Sequence, residues 1–161
     1  MQRRELLKFG LGASLFLGTA SLAGCTRQTP ANGYHVLRDD DLPLLQALIP
    51  VLLAGTQATP HTVLESLDGK LAALSPAMLR LTRQLFDVLS LPLTRGPLTG
   101  VWGRWSAASH ADIEAFLARW RSSSLSLLRQ GHASLLQLLQ MAWYERPESW
   151  AACGYPGPPK I

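Results

Sequence analysis

Cysteine is scarce in this chain. Of its 161 residues only Cys25 and Cys153 carry a thiol. Two cysteines cannot hold an iron–sulfur cluster alone, and neither belongs to a C-x-x-C-H haem-attachment motif. Glycine-rich phosphate loops are missing too, with no G-x-G-x-x-G and no Walker sequence to announce a nucleotide site. No G-x-S-x-G surrounds any of the many serines. The four histidines, His35, His61, His110 and His132, are spaced too widely for a metal site on one helix, and none is read as having a carboxylate partner on a clear common face, so each is assigned to the surface or to a cap. Charge is sparse: 16% of residues are charged, for a net +4. The arginines come one or two at a time and no basic run exists, so no nucleic acid is expected as a partner. Alternating strand patterns of useful length and internal repeats are both lacking. The apolar run at 9–24 has 16 residues, short of the ~20 that span a bilayer.

What the chain has is helical periodicity broken by start and stop signals. Asp39, Asp40 and Asp41 are read as a cap and first-turn negative charge, with Pro43 near the helix start. Leu42, Leu45, Ile49, Leu52 and Leu53 form one face of that helix and Leu44, Leu48 and Val51 a second. Pro50 is expected to bend it or end its regular part, and Gly55 to stop it. Thr59-Pro60 and Ser75-Pro76 read as N-cap and first helical residue. Leu64, Leu67, Leu71 and Leu74 follow the first pair. Met78, Leu81, Leu85, Val88 and Leu89 follow the second, with Arg80, Arg83 and Asp87 outside the stripe. Residues 90–100, with Pro92, Gly96, Pro97 and Gly100, read as a long loop or a broken short helix. Ser109 caps a helix carrying Ile113, Phe116, Leu117 and Trp120, and a last helix runs from about Ser124 to Tyr144. The expectation is an all-α domain of about five helices in an irregular bundle, with a long Pro/Gly loop and an extended Pro-rich C-terminal tail.

The five tryptophans all lie beyond residue 100. Trp120 and Trp143 sit on apolar faces and read as core. Trp102, Trp105 and Trp150 lie in Gly- or Pro-bounded segments, as core lids or as interface anchors.

The first ten residues, "MQRRELLKFG", place Arg3, Arg4 and Lys8 ahead of the short apolar run, the layout of a removable signal peptide. Arg3-Arg4 followed by Leu6, Leu7 and Lys8 resembles the twin-arginine signal, which exports proteins already folded; an ordinary secretory signal is the alternative. The run ends "LAGC", which looks like a lipobox whose Cys25 is lipidated, against simple cleavage after Ala23. Removing residues 1–24 takes away three basic residues and one acidic one, leaving 12 and 10. About 137 residues remain, enough for one domain with a real core. The division expected is a signal at 1–24, a polar tether at 25–38, a helical domain at 39–146 and a partner-binding tail at 147–161.

Three stretches, "LTGVWGRWSAAS" (98–109), "IEAFLARWRSSS" (113–124) and "WYERPESWAACGYPGPP" (143–159), together resemble the small, or gamma, subunit of bacterial FAD-dependent glucose–methanol–choline type dehydrogenases, the gluconate 2-dehydrogenase subunit 3 family. The resemblance covers most of the chain and is most specific at its end. It implies a non-catalytic, accessory chain that binds no cofactor itself. FAD and the oxidation belong to a large subunit, which the small one helps to mature and escorts through the Tat translocase. Some complexes of the family add a cytochrome subunit. The lipobox departs from the family pattern and implies a periplasmic chain held at the membrane through a lipid anchor. A free-standing periplasmic helical lipoprotein is the alternative. The residues assigned to partner binding are Trp102, Trp105, Trp150, Cys153, Tyr155 and Pro156. Gly154 and Gly157 allow turns, while Pro156, Pro158 and Pro159 stiffen the tail. Cys153 is placed for an inter-subunit disulfide. The rivals are a tail folded back on its own helices and, were Cys25 not lipidated, a Cys25–Cys153 bridge.

Overall fold

Proline and hydroxyl side chains set most of the helix starts. In the computed structural model, which describes residues 29–159, the helices are α1 Leu42–Leu52, α2 Pro60–Ala72, α3 Pro76–Ser90, α4 Pro92–Thr99, α5 His110–Arg121, α6 Ser126–Tyr144 and α7 Pro147–Cys153, with one 3₁₀ turn at Trp105–Ala107. The all-helical class holds: among the described residues there are seven α-helices and no strand. Thr59 and Ser75 cap α2 and α3 by accepting from the N–H groups of Thr62 and Met78. Ser109 and Asp112 close a reciprocal capping box on α5.

The expected count of five helices is too low, and the reason lies in proline. Pro92 and Pro147 each occupy a first-turn position, where the missing N–H has no intrahelical acceptor to lose. Gly100 and Gly154 end these two helices in the left-handed conformation, at φ 77° and 68°. The same residues that read as a loop at 90–100 and as an extended tail at 147–161 therefore bound short helices, and only residues 154–159 of the described tail are non-helical. Pro50 likewise sits inside α1, exposed in its last turns, and the helix runs on to Leu52.

The core is one cluster. α1 lies at its centre, with Leu44, Leu45, Leu48 and Ile49 buried, and packs on α2, α5, α6 and the 3₁₀ turn. α2 supplies Val63, Leu64, Leu67 and Leu71 and lies along α6, which also receives α5. Phe116 stands between Trp105 and Trp120, with ring centroids 5.9 and 5.0 Å away. Trp120 needs Gly131 on α6, where any side chain would overlap its ring. The α3 stripe turns out differently from expectation. Thr82, Phe86 and Leu89 face inward, whereas Met78 and Leu81 are exposed. α3 docks chiefly on α4 and α1, so one flank of its apolar surface stays uncovered.

The polar tether expected at 25–38 is, from residue 31 onward, part of the domain. Ala31, Val36, Leu37 and Arg38 are buried. Asp68 on α2 binds this strap: its carboxylate accepts the backbone N–H groups of His35, Val36 and Leu37 at 2.7, 2.9 and 2.9 Å. Asp41 does not cap α1 with its side chain, as had been expected. Its carboxylate accepts instead from the backbone N–H of Arg38 at 2.9 Å and from the Arg38 guanidinium, Nε at 3.0 Å and Nη2 at 2.7 Å. Asp87 on α3, read as lying outside its stripe, completes the group at 2.7 Å from Arg38 Nη2. Burial pulls the Arg38 guanidinium down, but the bonds and charges of Asp41 and Asp87 hold it above its ordinary value. Burial pushes the Asp87 carboxyl up, and Arg38 pulls it only part of the way back.

Candidate partner-binding surface

The six residues assigned to partner binding fall in three places. Trp105 belongs to none of the surface. It is 3% exposed, and its indole N–H donates to the Leu89 carbonyl at 2.8 Å, so it is a core residue joining the 3₁₀ turn to the end of α3. Its assignment as an interface anchor is corrected here: a ring with no free face cannot touch a partner.

Trp102, three residues earlier, is the opposite case at 78% exposed. The left-handed Gly100 turn throws the chain back over α4, and the indole lies on Gly96. A methyl group at Gly96 would overlap its six-membered ring. The glycine thus gives the indole a seat and fixes one face, leaving the other to solvent. Leu93, one turn before Gly96, is 79% exposed. A rigid aromatic ring held out of water's reach on one side only is the usual chemistry of an interface anchor.

The third place is the C-terminal hook. Its base is tied to α2: Arg146 donates to Ser66 Oγ at 3.0 Å and to the Thr62 carbonyl at 3.4 Å, and pairs with Glu148 at 3.0 Å. Ser149 is buried and donates to the Arg146 carbonyl. At the end of α7, Gly154 turns the chain and the Tyr155 N–H reaches back to the Trp150 carbonyl at 3.0 Å. The Tyr155 ring meets Trp150 edge-on, with centroids 5.5 Å apart. Trp150 is half-buried and donates to the Tyr144 carbonyl at 3.1 Å. Gly157 lies against the other part of its ring. The tail is therefore a compact hook folded on its own Trp150, and the expectation of an extended segment is corrected. Tyr155, Pro156 and Cys153 remain exposed on it, and Cys153 is a free thiol.

Arg3, Arg4, Lys8 and Cys25 lie outside the described residues, as does any Cys25–Cys153 bridge. Within the described residues no helix is long and apolar enough to cross a membrane, and no group of His, Cys, Asp and Glu is placed to hold a metal ion. His61 does have a carboxylate one turn away, contrary to expectation, 3.7 Å from Glu65, with both side chains in solvent. Sequence reasoning missed Asp68, Arg38 and Arg95. The apolar pair Val36-Leu37 inside a polar stretch was the one local signal that the strap is packed.

No protein-family model matches the chain, and neither a curated protein nor a solved structure matches it.

Proposed function

We propose that this chain is a non-catalytic small subunit that escorts a flavin-dependent dehydrogenase through twin-arginine export and supports its maturation and stability. The observation that carries the reading is the order of three sequence stretches, 98–109, 113–124 and 143–159, which resemble the gamma subunit of such enzymes. The geometry supports it where two of those stretches reach the surface. The first presents Trp102 on its glycine seat, and the last presents Tyr155, Pro156 and Cys153 on a hook braced by Arg146. On this reading FAD sits in the large subunit, a cytochrome subunit joins in some assemblies, and a lipidated Cys25 holds the complex at the periplasmic face of a membrane.

Purification through an affinity tag on this chain tests the escort reading. A larger flavoprotein should come down with it, and the eluate should be yellow. A colourless eluate containing this chain alone would favour the free-standing lipoprotein. That second reading has one observation behind it, namely that the hook already packs on its own Trp150.

Two variants locate the contact. Trp102→Ala removes a ring that is 78% exposed, so the domain's own unfolding midpoint should stay nearly unchanged. Affinity for the dehydrogenase subunit should fall by about 2 kcal/mol or more, as for an interface hot spot. Unchanged affinity excludes Trp102 from the interface. Cys153→Ser tests the disulfide. Electrophoresis of the complex without reductant should show a heavy species that reductant splits, and the variant should lack it. Free alkylation of Cys153 in the intact complex would rule the bond out.

A further inference from the structure

Arg95 is a buried cation without a counter-ion. It is 8% exposed, yet among the described residues no carboxylate pairs with it. Its guanidinium makes one long bond, Nη1 to the Ser90 carbonyl at 3.4 Å, and its Nε is buried with no partner. Such a group is costly to bury unless something neutralises it. The buried Arg38 nearby shows the contrast, with two carboxylates on it.

Arg95 lines an open cleft of about 270 Å³ between the start of α1, the α3–α4 junction and the 3₁₀ turn. Arg104, exposed and likewise without an ion pair among the described residues, also lines it. Asp39 and Asp40, both exposed and without an ion pair among the described residues, line the same cleft, and the buried Trp105 borders it. Asp87, the remaining acid of the cleft, is already committed to Arg38. Two unpaired positive groups and two unpaired negative ones thus line a single cleft without reaching each other. A simple anion would be drawn to Arg95 and repelled by the two aspartates of the same cleft. A simple cation would meet the reverse. A molecule carrying both charges satisfies both sets of side chains, and the cleft's size, just under the range of ordinary ligand pockets, limits it to a small one.

We infer that this cleft binds a small zwitterion, its carboxylate on Arg95 and Arg104 and its ammonium group toward Asp39 and Asp40. The cleft lining includes none of Trp102, Cys153, Tyr155 and Pro156, the exposed residues assigned to the dehydrogenase subunit.

Calorimetric titration of the purified chain with β-alanine, γ-aminobutyrate and ε-aminocaproate tests it, with propionate, butyrate, caproate, propylamine, butylamine and hexylamine as matched single-charge probes. At least one ω-amino acid should bind about tenfold more tightly than both of its matched probes, a difference of about 1.4 kcal/mol. Arg95→Gln and Arg104→Ala should each weaken that binding by a further ~10-fold. The Arg104 side chain makes no hydrogen bond or ion pair among the described residues, and its backbone bond to Ala107 survives truncation, so Arg104→Ala should keep the wild-type unfolding midpoint and is decisive even if Arg95→Gln folds poorly. The inference is overturned if no ω-amino acid binds by ~10 mM, if the matched carboxylates bind equally well, or if Arg104→Ala leaves binding unchanged.

Discussion

Asp68→Ala should cost the domain about 4 kcal/mol, a large part of the stability of a fold this size. The change deletes the acceptor of three backbone N–H groups at once. Val36 and Leu37 donate to one carboxylate oxygen and His35 to the other. Val36 and Leu37 are buried and Asp68 is only 3% exposed, so water cannot take its place without opening the strap. Each buried donor left without an acceptor costs roughly 1–3 kcal/mol. The strap also delivers Leu37, fully buried, and Arg38, whose guanidinium joins Asp41 at the start of α1 to Asp87 on α3. Loosening it therefore weakens two helix contacts besides its own. Asp68→Asn separates the hydrogen bonds from the rest. Its amide oxygen can keep Val36 and Leu37, but its NH₂ then faces the His35 donor, so it should cost about half as much as alanine. Urea unfolding of the chain measures both. A loss under ~1 kcal/mol for alanine, or asparagine worse than alanine, would show that the strap is not held this way.

That contact illustrates what a sequence does and does not disclose. Helix α5 was legible because its information is local: Ser109 caps it, and Ile113, Phe116, Leu117 and Trp120 recur at helical spacing and are all buried. The same rule failed on α3. Its apolar residues cover more of the circumference than its neighbours do, and only packing decides that Phe86 turns inward while Met78 and Leu81 stay out. Trp102 and Trp105 could not be told apart because they stand outside the α-helices, where spacing does not report direction. What separates them is distant in the chain: the Leu89 carbonyl takes one indole N–H, and Gly96 seats the other ring. Asp68 meets a strap more than thirty residues away in sequence, and Arg95 stands out only because no acid reaches it. Of the residues assigned to partner binding, Trp102, Cys153, Tyr155 and Pro156 are exposed, and rigid Gly/Pro punctuation around an aromatic is a local feature that a sequence discloses.

Arg3→Lys with Arg4→Lys should strand the chain, and its partner with it, in the cytoplasm. The reasoning starts from what lies past residue 28. The domain buries a continuous core, and its strap is tied through Asp68 and Arg38, so the chain folds around contacts that join its first described turns to α2 and α3. A protein of that kind suits a route that accepts folded cargo, and the arginine pair followed by Leu6, Leu7 and Lys8 is the feature resembling that route's signal. Conservative replacement keeps the positive charge that an ordinary secretory signal needs and removes only the paired guanidinium groups, which lysine does not imitate. Fractionation of cells producing the double variant should therefore find the unprocessed chain inside, and dehydrogenase activity should disappear from the periplasm along with it. Normal processing of the variant would assign the chain to the ordinary secretory route. Stranding of the chain with undiminished periplasmic dehydrogenase activity would instead sink the escort role. Cys25→Ala in the wild-type signal supplies the complementary measurement. Export should persist while lipid labelling vanishes, and the complex should move from the membrane to the soluble periplasmic fraction, because a diacylated cysteine anchors where a single chain would hold only marginally. Unchanged mass and fractionation in Cys25→Ala would sink the lipobox reading.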